Sequence, residues 1–561
     1  MMKDNQNKII LGLIVLLASF LRLFRLTRAG ILTDASHYSF RAVGYLDYLD
    51  IENQTSPIVW FGFKPWWSFL SFHDHPPLVF FIQNIFFKIF GVNTVSAILP
   101  FALFGIGSII VVYFLTNKLY GRECGYLAAF LLAICNYHVW ISRVGYLESI
   151  LIFFILLSIY YFTRALEQDK YFVYFGLFLG LSFLCKYTAF FLIPAIFCYL
   201  FFCKREVLYN KKFWVGLLLC LIVFSPVIIY NLKMYQTRGH FDMQFAALFN
   251  QDMSDWPIIQ RKVSTDFSES FFAIWENFKN GFSPVVLYLF FVGLGFIIFE
   301  CVKYDRKKHS LLIALVFFLT LFFALTKTSV YFLSVYAPFV VIILSYFLIC
   351  CFSFFQQKKK HIPMVIFVLC CAYIIFFSIN TNLFYNTMGS PGKLYSTMRL
   401  EDQGFNNLEY FLDSKINIKN VPSGKIRTFQ DLFLINSQGI LKTNPECSDV
   451  FIFDENLNWF GRIWYFQRRA VYQKIFFLST RDLFSIREKN NNEQDALESL
   501  RKHYQSFYFI LGIDDKTSDS KKYDTPFSET LEDILVRQFK LSPFIVKNYK
   551  GEPAFKIYHF N

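Results

Sequence analysis

Long apolar segments without a single charged residue constrain this chain more than any other feature. Residues 97–117 and 330–355 contain no Asp, Glu, Lys or Arg, and as helices each is long enough to cross about 30 Å of hydrocarbon. Hydrophobic residues make up 55% of the 561 residues, and 74 residues are Phe. A soluble chain of this length has no way to bury so much apolar surface. The sequence therefore predicts a mainly α, polytopic membrane helical bundle.

Twelve apolar segments are candidates for membrane helices. They are 9–26, 78–92, 97–117, 124–141, 147–163, 171–185, 187–203, 213–232, 284–302, 310–326, 330–355 and 362–380. The segment 78–92 follows Pro76 and Pro77 and contains Lys88, and it is shorter than the roughly 20 residues that a crossing needs. We expect it to lie in the outer interface or to re-enter the membrane, which leaves about 11 spans.

Basic residues recur in the short loops after every second crossing segment. They are Lys118, Arg122, Arg164, Lys170, Lys204, Arg205, Lys211, Lys212, Lys303, Arg306, Lys307, Lys308, Lys358, Lys359 and Lys360. By the positive-inside rule, these loops and the N-terminus are cytoplasmic. The net charge of +14 therefore reflects membrane orientation, and no nucleic acid is expected as a partner. We expect a multi-pass protein of the plasma (inner) membrane, in contact with its lipids.

The composition changes near residue 382. Residues 382–561 are charged and rich in Asn and Lys. Short apolar runs at 450–453, 475–478 and 507–511 predict strands, and 493–504 and 528–538 predict helices. We expect a membrane domain over 1–381 and a soluble α/β domain over 382–561, with the soluble domain outside the cell membrane.

Ionisable residues at the outer ends of the predicted helices are the candidates for chemistry, because charge at membrane depth is costly. The candidates are Asp34, Asp74, His75, Arg143, Glu148, Lys186 and Lys327, with the aromatic residues Tyr38 and Tyr331 close to them in sequence. Structural interpretations stay open. Asp34 could be a helix-end acid, Glu148 could simply pair with Arg143, and the two lysines could extend to the interface.

A metal site is a further interpretation of the outer loops. Asp74 and His240 could ligate a divalent cation, but two ligands alone are weak support for a site. We expect no other cofactor.

The order of these residues resembles the membrane glycosyltransferases of the GT-C class. The similar branch contains protein O-mannosyltransferases, aminoarabinose transferases and the RgtA/B/C/D-like bacterial enzymes. The matching pieces are Asp34 with Tyr38, His75-Pro76-Pro77-Leu78, the spacing of Arg143, Glu148 and Leu151, Lys186 with Thr188, and Lys327 with Tyr331 and Pro338. The similarity covers about residues 10–345. This chain departs from the branch at Ala35, where a Glu is frequent, and at His75, where Lys is frequent.

The resemblance implies an enzyme that transfers a hexose or pentose from a polyprenyl-phosphate donor, with inversion, at the outer membrane face. It implies Asp34 as the general base, with Glu148 as the residue that could fill a second acidic role. It implies that Arg143, Lys186, Lys327 and His75 bind the donor phosphate, with help from Tyr331.

The acceptor and the class of protein stay open at this stage. A lipopolysaccharide-like glycolipid, another envelope polysaccharide and a protein are all candidate acceptors. The alternative function is a lipid-linked sugar flippase or transporter, although no repeat of two related halves is visible in the sequence.

Overall fold

The structure is a computed structural model that describes most of the chain. The described residues are 2–48, 57–254, 267–326, 328–357, 361–384, 402–416, 449–484, 504, 506–513 and 527–561. They fall into two compact units. Unit 1 comprises Met1–Leu26, Trp67–Gly91 and Val95–Leu400, and unit 2 comprises Thr27–Trp66, Val92–Thr94 and Glu401–Asn561.

Helices form wherever the sequence has its apolar segments. In chain order they are α1 (Met2–Leu23), α2 (Asp34–Gly44), α3 (Pro57–Phe61), α4 (Leu78–Phe90), α5 (Thr94–Tyr120), α6 (Arg122–Ile134), α7 (Asn136–Val144), α8 (Glu148–Ala165), α9 (Phe172–Cys185), α10 (Leu192–Cys203), α11 (Lys211–Arg238), α12 (Met243–Leu248), α13 (Phe267–Gly281), α14 (Pro284–Lys303), α15 (Arg306–Leu325), α16 (Ala337–Gln357), α17 (His361–Asn382), α18 (Phe405–Lys415), α19 (Trp459–Gly461), α20 (Arg468–Gln473) and α21 (Phe527–Asp533). Turns of 3₁₀ helix at Tyr187–Phe191 and Phe332–Tyr336 lead directly into α10 and α16. The prediction of a mainly helical membrane protein is confirmed.

Length and composition single out the helices that can cross a membrane. In the described part of the chain seven helices meet both requirements, or eight if the bent pair α6 and α7 is one span. The helix α4, with 13 residues, extends only about 20 Å, as expected for a segment that does not cross. The helices α9 and α10 are also short, with 14 and 12 residues. The count of about 11 crossings therefore stays a prediction.

A break between α6 and α7 is stabilised by a buried arginine from the first helix. The two helices meet at an angle of 54°, which leaves carbonyl groups at the end of α6 without helical partners. The guanidinium of Arg22, fully buried, donates to the carbonyls of Leu132 and Ala133 at 3.2 and 3.0 Å and lies 2.8 Å from His138 Nδ1. Arg22 therefore joins α1 to the bent pair.

Two glycines allow α9 and α11 to pack in direct backbone contact. A Cβ atom added at Gly176 would lie 1.8 Å from the carbonyl oxygen of Gly216, and one added at Gly216 would lie 2.3 Å from the carbonyl oxygen of Phe172. Small residues at helix crossings are a common device in membranes, where dispersion contacts replace the hydrophobic effect. This contact fixes the direction of α9, whose C-terminal end carries Lys186.

Unit 2 contains a mixed five-stranded sheet. Its strands are β1 (Asp449–Phe453), β2 (Phe476–Ser479), β3 (Ser506–Gly512), β4 (Phe544–Lys547) and β5 (Pro553–Phe560), in the order β2-β1-β3-β5-β4. The first three strands are parallel, and β5 is antiparallel to both β3 and β4. The predicted strands and the helix at 528–538 are confirmed, as is the C-terminal α/β domain. The predicted helix at 493–504 lies outside the described residues, apart from Tyr504.

The segment after the first membrane helix belongs to the same unit as the sheet. The ring of Phe40 on α2 packs against Tyr472 at 5.1 Å between centroids, and a Cβ added at Gly44 would collide with the same tyrosine. The tyrosine hydroxyl donates to the carbonyl of Phe40 at 2.9 Å. The predicted boundary at residue 382 stays a prediction, but the compact unit around the sheet also includes Thr27–Trp66.

Candidate functional site

A buried ion pair joins two distant parts of unit 1. Glu148 is the first residue of α8, and Lys186 lies in extended conformation between α9 and the following 3₁₀ turn. The ammonium of Lys186 donates to Glu148 Oε1, with side chains only 12% and 2% exposed. Because burying either charge alone would be costly, the pair fixes the start of α8 against the end of α9.

Aromatic rings complete the surroundings of Lys186. Its Nζ atom lies 3.6 Å from the ring centroid of Phe332 and 5.7 Å from that of Tyr331, within the range of cation–π attraction. The Tyr331 ring stacks on Tyr146, with centroids 4.6 Å apart and planes 5° from parallel. The Tyr137 hydroxyl donates to the carbonyl of Val330. These contacts hold the segment before α16 against the lysine.

A cavity of about 350 Å³ opens beside this lysine. Its walls are mainly apolar and include Phe190, Phe245, Leu248, Phe322, Phe323 and Phe332; its polar residues include Asp74, His75, Lys186, Thr188 and Gln244. His75 Nδ1 lies 3.1 Å from Asp74 Oδ2. The cavity thus combines walls suited to a hydrocarbon chain with a cation suited to an anionic group.

A second buried acid bonds three residues that line this cavity, Tyr187, Gln244 and Phe245. Asp242 is fully buried, and its carboxylate accepts from the Tyr187 hydroxyl at 2.6 Å and from Asn231 Nδ2 at 3.0 Å. It also accepts from the backbone amides of Gln244 and Phe245 at the start of α12. Burial raises the pKa of Asp242. The acid therefore ties α11 and α12 to the residue that follows Lys186.

The same loop is bonded to the segment that carries Asp74. The backbone amide of Met243 donates to the carbonyl of His73 at 2.8 Å, and Gln244 Nε2 donates to the carbonyl of Asp74 at 3.3 Å. Residues from four separate stretches of the sequence, 74–76, 186–190, 244–248 and 322–332, thus meet at one cavity. Of the predicted phosphate ligands, His75 and Lys186 are brought together here.

Arg143 is bonded to backbone carbonyls near the end of α1. Its guanidinium, in a residue only 5% exposed, donates to the carbonyls of Leu21 and Arg25, both at 2.8 Å. These carbonyls lie in the last turn of α1 and just beyond it, where helical partners are missing. The sequence also left open a pairing of Arg143 with Glu148, whereas the structure pairs Glu148 with Lys186. A phosphate-binding role for Arg143 stays a prediction. In that role the guanidinium would exchange its bonds to these two carbonyls for bonds to phosphate oxygens.

Asp34 and Tyr38 lie in unit 2. Asp34 is the first residue of α2 and half-buried, and Tyr38 is 5% exposed. The residue before them, Thr33, has a φ of 53°, a left-handed conformation that is uncommon for a β-branched residue. The Ile31 amide donates to the Tyr465 hydroxyl at 3.2 Å. These features fix the helix start that presents the predicted base.

The remaining predicted residues are Lys327, Tyr331 and His240. Lys327 lies outside the described residues. Tyr331 contacts Lys186, as described above. His240 is buried, and its Nδ1 lies 2.7 Å from the carbonyl of Phe241. The divalent cation site proposed for Asp74 and His240 stays a prediction.

Sequence reasoning missed Phe332, Tyr146 and Asp242. Nothing in the sequence distinguishes Phe332 or Tyr146 from the other aromatic residues, because their role depends on tertiary contacts. Asp242 could have been predicted as a helix N-cap, because an Asp directly before a short apolar run is typical of a helix start. In the structure it accepts from the first amides of α12.

Part of the sequence and the fold of this chain resemble those of the GT-C class of membrane glycosyltransferases. Residues 74–230 match the family described as dolichyl-phosphate-mannose-protein mannosyltransferase. The fold is similar to that of ArnT from Cupriavidus metallidurans, with a TM-score of 0.54, 11% identity, and coverage of 99% of this chain and 98% of that one. The resemblance predicted from the sequence is confirmed.

Two further comparisons agree with this class. A second structure of the same ArnT, bound to undecaprenyl phosphate, has a TM-score of 0.54 at 10% identity, over 98% of this chain and 97% of that one. In Bacillus subtilis (strain 168), the protein named "Putative mannosyltransferase YycA" is 34% identical over 154 residues. That match spans 27% of this chain and only 22% of YycA.

Proposed function

We propose that this chain is a glycosyltransferase that transfers a sugar from a polyprenyl-phosphate donor to an acceptor of the cell envelope. The observation that carries the proposal is the position of Lys186 in the wall of a mainly apolar cavity, where it pairs with Glu148. A polyprenyl phosphate has this composition, an anionic phosphate on a long hydrocarbon chain. The ArnT structure with undecaprenyl phosphate supports a ligand of this kind.

The donor phosphate lies beside Lys186 in this proposal, and the prenyl chain follows the phenylalanine walls. As the bond between the anomeric carbon and the phosphate oxygen breaks, negative charge develops on the leaving lipid phosphate. A cation held in place before the reaction stabilises this charge without further reorganisation. His75, in the same cavity, is a second donor to the phosphate when it is protonated or suitably oriented.

Glu148 acts in this account through Lys186. Its carboxylate holds the ammonium at a fixed position, and the ring centroid of Phe332 lies 3.6 Å from the same ammonium. The separate proposal that Glu148 has a catalytic acidic role of its own stays open.

Asp34 is the proposed general base. Its carboxylate takes the proton of the acceptor hydroxyl as the hydroxyl oxygen attacks the anomeric carbon. A new C–O bond forms on one face of the sugar while the bond to the phosphate breaks on the other, so the anomeric centre inverts. The packing of α2 within unit 2 supports this role because it fixes the start of the helix.

The orientation follows from the basic loops. With these loops in the cytoplasm, Lys186 and His75 lie at the outer face, where a lipid-linked sugar meets envelope acceptors. The family description and the name of YycA both support mannose as the first sugar to test. A glycolipid, a polysaccharide or a protein is the acceptor.

The experiment uses the purified full chain in vesicles with polyprenyl phosphate that carries a radiolabelled mannose, together with an envelope fraction. We expect label in the acceptor fraction with the native protein and with Asp252→Asn, a control at an exposed loop acid. Asp34→Asn is expected to reduce transfer at least a hundredfold. Movement of the lipid between leaflets without sugar transfer would instead support the flippase.

A further inference from the structure

A crevice at the end of the bundle that lies away from Lys186 has the features of a second lipid site. It has a volume of about 300 Å³ and lies between α10 and α15, with the end of α14 beside it. Its lining includes Tyr199, Phe202, Cys203, Arg306, Ala314 and Phe318. We refer to it as the basic crevice.

Two helices place the basic crevice and the Lys186 cavity at opposite ends of unit 1. The helix α15 begins with Arg306 at the crevice and has Phe322 and Phe323 in the cavity. Lys186 precedes the turn into α10, and Cys203 ends that helix at the crevice. From Ser310 to Phe323 the helix rises about 20 Å, so the two sites face opposite halves of a membrane.

Charge is concentrated around the mouth of the basic crevice. Six cations lie in the adjoining loops and helix ends: Lys204, Arg205, Lys303, Arg306, Lys307 and Lys308. The nearby acids have partners of their own. Glu300 accepts from Tyr346, Asp305 accepts from two amides at the start of α15, and Glu206 lies 3.3 Å from Lys204.

Arg306 is the cation that lines the crevice itself. Its guanidinium carbon lies 5.5 Å from the ring centroid of Phe202, and within the described part of the chain no carboxylate pairs with it at salt-bridge distance. A guanidinium can bind phosphate oxygens through two parallel hydrogen bonds. The crevice behind it offers apolar walls of phenylalanine, alanine and cysteine side chains to an acyl chain.

We propose that the basic crevice binds an anionic phospholipid of the membrane leaflet opposite the Lys186 cavity. The phosphate lies against Arg306, an acyl chain enters between α10 and α15, and the neighbouring lysines favour a headgroup with net negative charge. This proposal does not depend on the proposed glycosyl transfer. The phospholipid lies in the opposite leaflet from the sugar donor and has a different headgroup.

The test uses the full chain in phosphatidylcholine vesicles that contain a trace of spin-labelled phosphatidylglycerol or spin-labelled phosphatidylcholine. The fraction of immobilised label gives the preference of the protein for the anionic lipid. Removal of one phosphate-binding cation should reduce this preference about fivefold. We expect that reduction in Arg306→Gln, and a similar loss in Ala314→Phe, which fills the crevice.

Two further variants test whether the loss of lipid preference depends on the positive charge at residue 306. Arg306→Lys should retain most of the preference. Lys233→Gln should retain all of it, because Lys233 is a half-buried cation near the C-terminal end of α11 whose ammonium bonds Gln236. Thermal unfolding of each variant checks that it is folded. An equal affinity of the native protein for both lipids would overturn the proposal. So would a preference that survives in both Arg306→Gln and Ala314→Phe, or one that depends on Lys233.

Discussion

Lys186 and Glu148, 38 residues apart in the sequence, form an ion pair that is almost fully buried in unit 1. Neither residue has a second charged partner at salt-bridge distance in the described residues. The pair holds the start of α8 against the junction of α9 and α10, and its cation also lines the large cavity. Its structural and functional contributions can be separated by mutation, because a neutral pair of similar shape keeps the packing and removes the charge.

Lys186→Met is expected to destabilise the protein by about 3 kcal/mol, because it leaves the carboxylate of Glu148 buried without its cation. The double variant Lys186→Met with Glu148→Gln should recover most of that loss. Sugar transfer should be lost in both variants, since neither has the cation. Thermal unfolding in detergent and the transfer assay measure the two properties separately. Recovery of transfer in the double variant would show that the pair is only structural.

Phe332 is expected to affect the affinity for the donor. Its ring centroid lies 3.6 Å from the lysine ammonium, and a cation–π contact contributes about 1 kcal/mol. Phe332→Leu should raise the KM for the lipid donor about fivefold with a smaller change in kcat, and Phe332→Trp should retain the native KM. Steady-state kinetics over a range of donor concentrations measure both. An unchanged KM in Phe332→Leu would exclude the contact from donor binding.

The close helix contact at Gly176 predicts that a single added methyl group lowers the stability of the protein. Gly176→Ala places a Cβ where the carbonyl oxygen of Gly216 lies, so α9 and α11 must separate, at a cost of at least 1 to 3 kcal/mol. Gly295→Ala is the matched control, because nothing lies within 4 Å of the added atom on α14. The thermal unfolding midpoint should fall only in the first variant. A similar midpoint for the two variants would contradict the close crossing.

A pair of acids in unit 2 predicts a dependence of stability on pH. Asp454 and Glu455 follow β1 and are both buried, and the Ser528 hydroxyl lies 2.7 Å from an oxygen of each. Burial raises the pKa of both carboxyls above their usual values of 3.8 and 4.5. Since the folded state binds these protons more tightly, this contribution to stability is complete below about pH 4. It is lost as the pH rises through the raised pKa values.

Asp454→Asn should therefore be less sensitive to pH than the native protein. Hydrogen exchange of the β1 and β3 peptides, compared between the two proteins at each pH, measures the difference. We expect the variant to gain protection relative to the native protein as the pH rises from about 4 to 7. Parallel behaviour of the two proteins over this range would contradict the raised pKa values.

The helices could be predicted from the sequence because each depends on a local pattern. The apolar run at 97–117 lies within α5, and the strand predicted at 450–453 is β1, which begins one residue earlier. The bend at Cys135 was not predicted, because it depends on Arg22, more than a hundred residues earlier, to bond the free carbonyls. Local periodicity contains no information on such distant partners.

The candidate site was only partly predictable for the same reason. The sequence selected Lys186 and His75 because both stand at the outer ends of predicted helices. Both residues line one cavity, and their binding role stays a prediction. The sequence left open a pairing of Glu148 with Arg143. In the structure the arginine bonds backbone carbonyls near the end of α1, and the glutamate pairs with Lys186. The contributions of Phe332 and Asp242 required tertiary structure.

Binding of a polyprenyl phosphate to the Lys186 cavity tests the central claim most directly. The measurement is the equilibrium affinity of the purified protein for undecaprenyl phosphate in vesicles, for the native chain, Asp34→Asn and the double variant Lys186→Met with Glu148→Gln. We predict that Asp34→Asn binds with native affinity and that the folded double variant binds at least tenfold more weakly, because it lacks the cation for the phosphate. Native affinity in the double variant would show that the donor phosphate does not lie at Lys186.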